Sequence, residues 1–318
     1  MIRPFIAIAR LASLEAIRRP VFLLVSLSVT AGILLLPLLL NYTLGDSARI
    51  IRDSALAFYL VGGVLLGAQA AADGFSRELR RGTAAIILAK PVPRTLFFLA
   101  KITGAWGALA LFSVVALTAT LLAVRAGASD LRLDGAAVLP SLAALVLAPA
   151  LAGIWNHRTR RPFASATFFL LLFLLLLALA ISAIFPTPLD RLTFPRQFDW
   201  NLLTVGFLLA LCLGMAASLA GALATRWPTS PVLLLVAGVF LLGLLSDSFL
   251  GPHLESSLVA RLAYVLPPNV QAFWLVDALD AAIAIPPRYL LQATAYAAAW
   301  SAAVLALGAA AFRQLEIS

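Results

Sequence analysis

The chain has 318 residues, of which 63% are hydrophobic and only 12% charged, with a mean hydropathy of +1.02 and a formal net charge of +9. So little polar surface excludes a soluble globular domain, and apolar runs near 20 residues, in place of alternating segments of about ten, exclude a β-barrel. The basic balance points first to nucleic acid, a reading that the placement of the charges removes.

Residues 2–19 read as an amphipathic helix on the inner membrane surface. Phe5, Ile6, Ala9, Leu11, Leu14 and Ile17 are its apolar residues, and Arg3, Arg10, Glu15 and Arg18 its polar ones. Glu15 and the four arginines before residue 20 do not suit a cleaved signal peptide, and no small-residue cleavage site follows. The first 20 residues are therefore expected to be cytoplasmic, and 21–318 a transmembrane domain. Its first span, "VFLLVSLSVTAGILLLPLLL" (21–40), is long enough to cross about 30 Å of hydrocarbon. A second is expected at about 54–73.

The segment that follows, "FSRELRRGTAAIILAKPVPRTLFFLAK" (75–101), is the basic one. It holds six of the 23 cations, Arg77, Arg80, Arg81, Lys90, Arg94 and Lys101, against one acid, Glu78. Its first part continues the second span as a helix to about Gly82. Thr83 can cap a short helix over 84–90, and Pro91 and Pro93 fix φ in a stiff extended link. The whole reads as a rigid basic bracket under the membrane.

Further spans are expected at about 102–124, 138–155, 163–185, 202–224, 232–250 and 290–311, making eight. "NHRTRRPF" (156–163) joins the fourth to the fifth. Residues 251–289 form the longest outer loop. Leu254, Leu258, Leu262 and Leu266 keep helical spacing, Pro267 and Pro268 stop that helix, and Asn269 can cap the next, giving two short interfacial helices. Trp155, Trp200 and Trp227 fall near span ends, as interfacial anchors do.

With the N-terminus inside, the inner segments hold 15 cations and four acids, a net of +11, and the outer loops eight cations and ten acids, a net of −2. The excess positive charge is thus a topology signal, with the inner face meeting anionic membrane lipids and no nucleic acid implied. The fold class expected is all-α: a polytopic membrane protein with both termini cytoplasmic.

Little reaction chemistry is visible. Lys90 precedes Pro91 and Lys101 precedes Ile102, so neither lysine has the Ser or Thr of a phosphate-binding loop. His157 and His253 fall on opposite sides of the membrane, and no HExxH, CxxC or carboxylate cluster offers a metal site. No G-x-S-x-G elbow appears. Cys212, the single cysteine, can form no internal disulfide. Asp73 and Asp247 are the only ionisable residues in the expected spans, each near an end, so no buried carboxylate is offered to a coupling ion. Any work done by this chain draws its energy from a partner. The residues leave open a transporter driven by a partner and a non-transporting membrane anchor or scaffold for a partner complex. An enzyme acting on lipids is disfavoured by the lack of an acid–base pair.

Glu78, Gly82, Thr83, Ile87, Leu88, Pro91, Val92, Pro93 and Arg94 follow the spacing of a pattern found after the second span of the ABC-2 type permeases, the membrane subunits of ATP-driven exporters. The chain resembles that family most in the group associated with multicopper-enzyme maturation. "TRWPTSPVLLLVAGVFLLGLLSD" (225–247), "LAYVLPPNVQAFWLVDAL" (262–279) and "LEAIRRPVF" (14–22) add to the resemblance, which covers most of the chain. The family has six spans as a rule, and 138–185 here adds a hairpin. The resemblance implies a second permease copy or paralogue as partner, a cytoplasmic ABC ATPase subunit that holds the ATP and magnesium, and no cofactor on this chain. It implies the inner membrane of a bacterial cell. It also implies that 75–101 docks on the ATPase, through Glu78, Arg80, Arg81, Gly82, Thr83, Pro91, Pro93 and Arg94. Arg226, Trp227 and Pro228 would form a smaller second contact.

Overall fold

The computed structural model describes residues 2–40, 47–80, 93–128, 132–160, 162–188, 191–250, 264, 267–280 and 285–314, with backbone alone for 76–80, 247–250 and 280. Among these residues the regular structure is helical throughout. The helices are α1 (Ile2–Ile17), α2 (Pro20–Leu39), α3 (Ser47–Arg80), α4 (Arg94–Ala126), α5 (Gly135–Thr159), α6 (Phe163–Ile184), α7 (Asn201–Leu223), α8 (Thr229–Leu250), α9 (Val276–Asp280) and α10 (Pro287–Arg313). Eight of them, all but α1 and α9, are long and apolar enough to cross a membrane. Each falls on one of the expected spans. The chain is an all-α, multi-pass membrane protein.

Two helices run further than hydropathy indicates. α3 begins at Ser47 and α4 at Arg94, so they have 34 and 33 residues and lengths of about 51 and 50 Å. Their added turns carry charges, and an apolar window stops at charges although the helix does not.

The chain forms two compact units. The first comprises 1–16, 64–109 and 207–318, and the second 17–63 and 110–206.

In the second unit α2, α5 and α6 pack together. Ala144, Ala148 and Ala152 are buried at four-residue spacing on α5, and such small side chains let a neighbouring helix approach closely. Phe22 of α2 meets Phe168 of α6 edge to face at 5.3 Å. The hairpin 138–185 is therefore an integral part of this unit. Asp134 begins it, its Oδ1 accepting a hydrogen bond from the Ala136 N–H at 2.9 Å.

In the first unit α1 does more than lie on a surface. It docks on α4 where that helix carries Gly104. A Cβ there would stand 2.5 Å from both the Ala12 Cβ and the Ala9 carbonyl oxygen, so only glycine allows the two backbones this close. Ala12 and Ala16 are buried, while Ile6 and Leu11, expected on the apolar face, are 58% and 62% exposed. In the 251–289 segment the Asn269 Oδ1 accepts from the Ala272 N–H at 3.2 Å, and a 3-10 turn, Gln271–Phe273, follows in place of the expected helix. The Asn269 N–H also donates to the Tyr296 hydroxyl of α10 at 3.0 Å. The expected helix with Leu254, Leu258 and Leu262 lies outside the described residues.

Candidate functional site

Several helix ends of the first unit meet around the residues flanking the basic loop. α3 runs to Arg80, so Glu78 and Arg80 are on its last turn. Arg81, Gly82, Thr83 and Pro91 lie outside the described residues. The chain is described again from Pro93, which is exposed, and whose carbonyl accepts the Phe97 N–H at 3.1 Å as α4 begins. Proline suits this place, because a helix start needs no N–H from it.

Arg94 is the first residue of α4. Its Nη1 donates to the Arg313 carbonyl at 3.1 Å. Arg313 ends α10, where the last carbonyls have no partner within the helix and carry the negative end of its dipole. The guanidinium thus ties the start of one helix to the end of another. Below this tie Phe75, Phe98 and Phe312 contact one another, with ring centroids 5.1 Å (Phe75–Phe98), 5.9 Å (Phe75–Phe312) and 5.9 Å (Phe98–Phe312) apart. All three are essentially buried. Rings in such tilted and edge-on pairs add about 0.5–1.5 kcal/mol each beyond their burial. The α10 backbone comes close as well, since a Cβ on Gly308 would stand 2.8 Å from the Phe98 ring and 2.9 Å from Ala222.

A second tie involves Asp73. Its Oδ1 accepts a hydrogen bond from the Thr229 hydroxyl at 2.8 Å, joining α3 to the first residue of α8. The turn just before it presents Arg226, Trp227 and Pro228, all exposed. The Trp227 N–H donates to the Leu223 carbonyl at 3.0 Å, so the turn is closed on the end of α7. The structure therefore brings Pro93, Arg94 and the 226–228 turn onto helix ends of one unit, linked through α3. Asp73 was legible only as an acid at a span end, and its tethering role depends on a residue 156 positions away.

Lys101 differs from the exposed Arg94. It sits in the second turn of α4, buried, with Nζ 3.4 Å from Glu15 Oε2 of α1 and 5.8 Å from the centroid of the Phe97 ring. The segment 75–101 thus includes two helix ends, and only its middle joins them. On the hairpin, Arg158 and Arg160 are exposed at the end of α5, and Arg160 adopts φ 56° as the helix terminates.

Among the described residues no three of His, Cys, Asp or Glu come together. What these helix ends present among the described residues is two exposed arginines, Arg94 and Arg226, and the exposed Trp227 indole, held by buried rings and by hydrogen bonds between helices. No family model and no curated protein matches the chain. The family resemblance of the loop stands on its residues.

Proposed function

We propose that the chain is the permease subunit of an ATP-binding-cassette exporter, working with a separate cytoplasmic ATPase and a second permease copy. The observation that carries this reading is the linkage of the two expected contact segments. Arg94 is tied to the end of α10, and Thr229, next to the 226–228 turn, to Asp73 of α3, two turns before that helix ends, with Phe75, Phe98 and Phe312 packed together alongside. A surface that receives force must move as one body, and ties of this kind supply that. The sequence of 75–101 adds the glutamate, glycine, threonine and proline pattern of a coupling loop. ATP with magnesium binds to the partner, and this chain transmits the resulting motion to its spans.

The test is a Glu78→Arg, Gly82→Pro variant, assayed for membrane abundance, for co-purification of the ATPase and for ATPase stimulation by the complex. The expected outcome is near-normal abundance with loss of the ATPase from the purified complex. Full ATPase association and normal turnover in that variant would overturn the assignment of 75–101 as the coupling element.

A further inference from the structure

In the second unit the last three turns of α5 carry a surface feature that transmission from an ATPase does not use. Leu147, Leu151, Ile154 and Arg158 follow at intervals of four, three and four residues, so they share one face of the helix, within an arc of about 60°. All four are exposed. From Leu147 to Arg158 the helix rises about 16 Å, close to the depth of one leaflet of a hydrocarbon layer about 30 Å thick. Exposed leucines are ordinary on a span; their alignment with Arg158 is what selects this face. Trp155 and Phe163 are exposed at the same helix ends, as aromatic residues are where hydrocarbon gives way to headgroups.

The charge at this level is unopposed. Arg158 and Arg160 are exposed, and neither guanidinium makes a hydrogen bond or ion pair among the described residues. Arg160 closes the helix through its backbone, its N–H donating to the Asn156 carbonyl at 2.9 Å, which leaves the side chain uncommitted. Arg18, exposed just before α2, is on the same membrane face. Phe22, about 3 Å into α2, meets Phe168, about 8 Å into α6, so the starts of these helices and the end of α5 are at one level. No acid occurs from 16 to 45 or from 135 to 189, so nothing on α2, α5 or α6 neutralises these arginines. Arg125 shows the contrast. Its Nε is 2.7 Å from Asp134 Oδ2 and its Nη atoms donate to the Ser182 and Phe185 carbonyls, so it is buried and committed to the protein.

Arginine suits a phosphodiester, because its planar fork sets two N–H groups against two oxygens. Charge alone would serve a soluble anion equally well. The apolar stripe distinguishes the two cases, since it offers nothing to a free phosphate and a full leaflet of contact to an acyl chain. A stripe of that length ending in a guanidinium has the outline of a lipid, with the chain along the stripe and the headgroup at the charge.

We infer that the end of α5 binds one anionic phospholipid, whose phosphodiester pairs with Arg158 and Arg160 and whose acyl chain lies along Leu147, Leu151 and Ile154. Phosphatidylglycerol carries a net negative charge and complements the unopposed arginines. Phosphatidylcholine has the same phosphodiester, but its trimethylammonium group brings a further positive charge to a surface that holds no acid, and the site discriminates against it.

The full-length chain in detergent is titrated with palmitoyl-oleoyl phosphatidylglycerol and phosphatidylcholine, and bound lipid is counted by native mass spectrometry. The first phosphatidylglycerol should bind about tenfold more tightly than phosphatidylcholine, corresponding to about 1.4 kcal/mol. Arg158→Gln with Arg160→Gln should bring the two lipids to near-equal affinity while leaving thermal unfolding unchanged, because both side chains are exposed. Arg191→Gln with Arg196→Gln removes the same charge from other exposed arginines of this unit and should leave the preference intact. Equal affinity for the two lipids in the unaltered chain, or a preference that survives in the Arg158, Arg160 variant, overturns the site. An equal loss in the Arg191, Arg196 variant also overturns it, since net charge alone would then explain the binding. Glycerophosphoglycerol supplies the headgroup without chains. Its binding as tightly as the intact lipid overturns a lipid as the occupant, and weaker binding supports it.

Discussion

Lys101 of α4 and Glu15 of α1 meet at 3.4 Å, with the lysine side chain 6% exposed and the glutamate 42%. The asymmetry sets the outcome of mutation. Glu15→Gln leaves a buried ammonium with a weaker partner, while Lys101→Met places a side chain of similar volume against Phe97 and leaves a carboxylate already wetted by solvent. Glu15→Gln should lower the unfolding free energy by about 1 kcal/mol, discounted for the exposure of the pair, and Lys101→Met by less. Thermal unfolding in detergent ranks the two variants. The reverse order would mean that the carboxylate does not compensate the buried lysine.

The docking of α1 on α4 can be trapped covalently. A Cβ placed on Gly107 would stand 3.7 Å from the Ser13 Cβ, within the usual disulfide separation of about 3.5–4.5 Å. In a Cys212→Ala background, Ser13→Cys with Gly107→Cys should therefore crosslink on mild oxidation, read as a mobility shift that reductant reverses. Adding Gly104→Val should prevent the crosslink, because its side chain would collide with Ala12 and the Ala9 carbonyl. Crosslinking as fast with valine present would show that α1 is not held at Gly104.

Arg125 and Asp134 form a pair of the opposite kind, both sides buried. Removing one partner from such a pair costs about 3–5 kcal/mol, so Asp134→Ala should destabilise the chain strongly, with some of the loss coming from the start of α5. Arg125→Met with Asp134→Leu should cost less than Asp134→Ala alone, since it leaves no unpaired buried charge. A double variant less stable than the single one would show that the bonds from Arg125 to Ser182 and Phe185 outweigh the ion pair.

The topology makes a separate prediction at the end of α5. Thr159 is exposed, beside Arg158 and Arg160. Arginines cost about 2.5–3.5 kcal/mol each at mid-bilayer and favour the inner side. A cysteine at Thr159, in the Cys212→Ala background, should resist thiol reagents that cannot cross the membrane and react once cells are opened. Labelling in intact cells would invert the expected orientation from α5 onward.

The spans were legible because each is a long uncharged run, and burial of such a run does not depend on which neighbour covers it. Their true ends were less so: Arg49, Arg52, Lys101 and Arg125 are helical but charged; Arg49 and Arg52 meet Asp53 on their own helix, while Lys101 and Arg125 are accommodated by contacts to Glu15 and to Ser182 and Phe185 that no local window contains. Lys101 illustrates the limit. Adjacent to the basic loop in sequence, it reads as one more exposed cation, and only its position one turn before Gly104, where α1 crosses, turns it inward. The buried Arg125–Asp134 pair, though only nine residues apart, was assigned to an outer loop because nothing local distinguishes a buried pair from an exposed one. Of the candidate docking residues, Pro93 and Arg94 were expected in an extended link and instead stand where α4 begins, while 226–228 form the turn between α7 and α8. The ties to Arg313 and Asp73 that hold them are long-range and were not readable.

The unequal lengths of the helices have a consequence for the surrounding bilayer. α3 and α4 are about 20 Å longer than the hydrocarbon layer, and their backbone hydrogen bonds are already made within each helix, so a thicker or thinner membrane changes only which turns are wet. α6 has 22 residues without a charge, about 33 Å, and nothing to spare at either end. A bilayer a few ångströms thinner must tilt α6 or strip lipid from its ends, at fractions of a kcal/mol per ångström. The short uncharged α6 and α2 are thus the spans of this protein that register membrane thickness, while α3 and α4 pass through it indifferently.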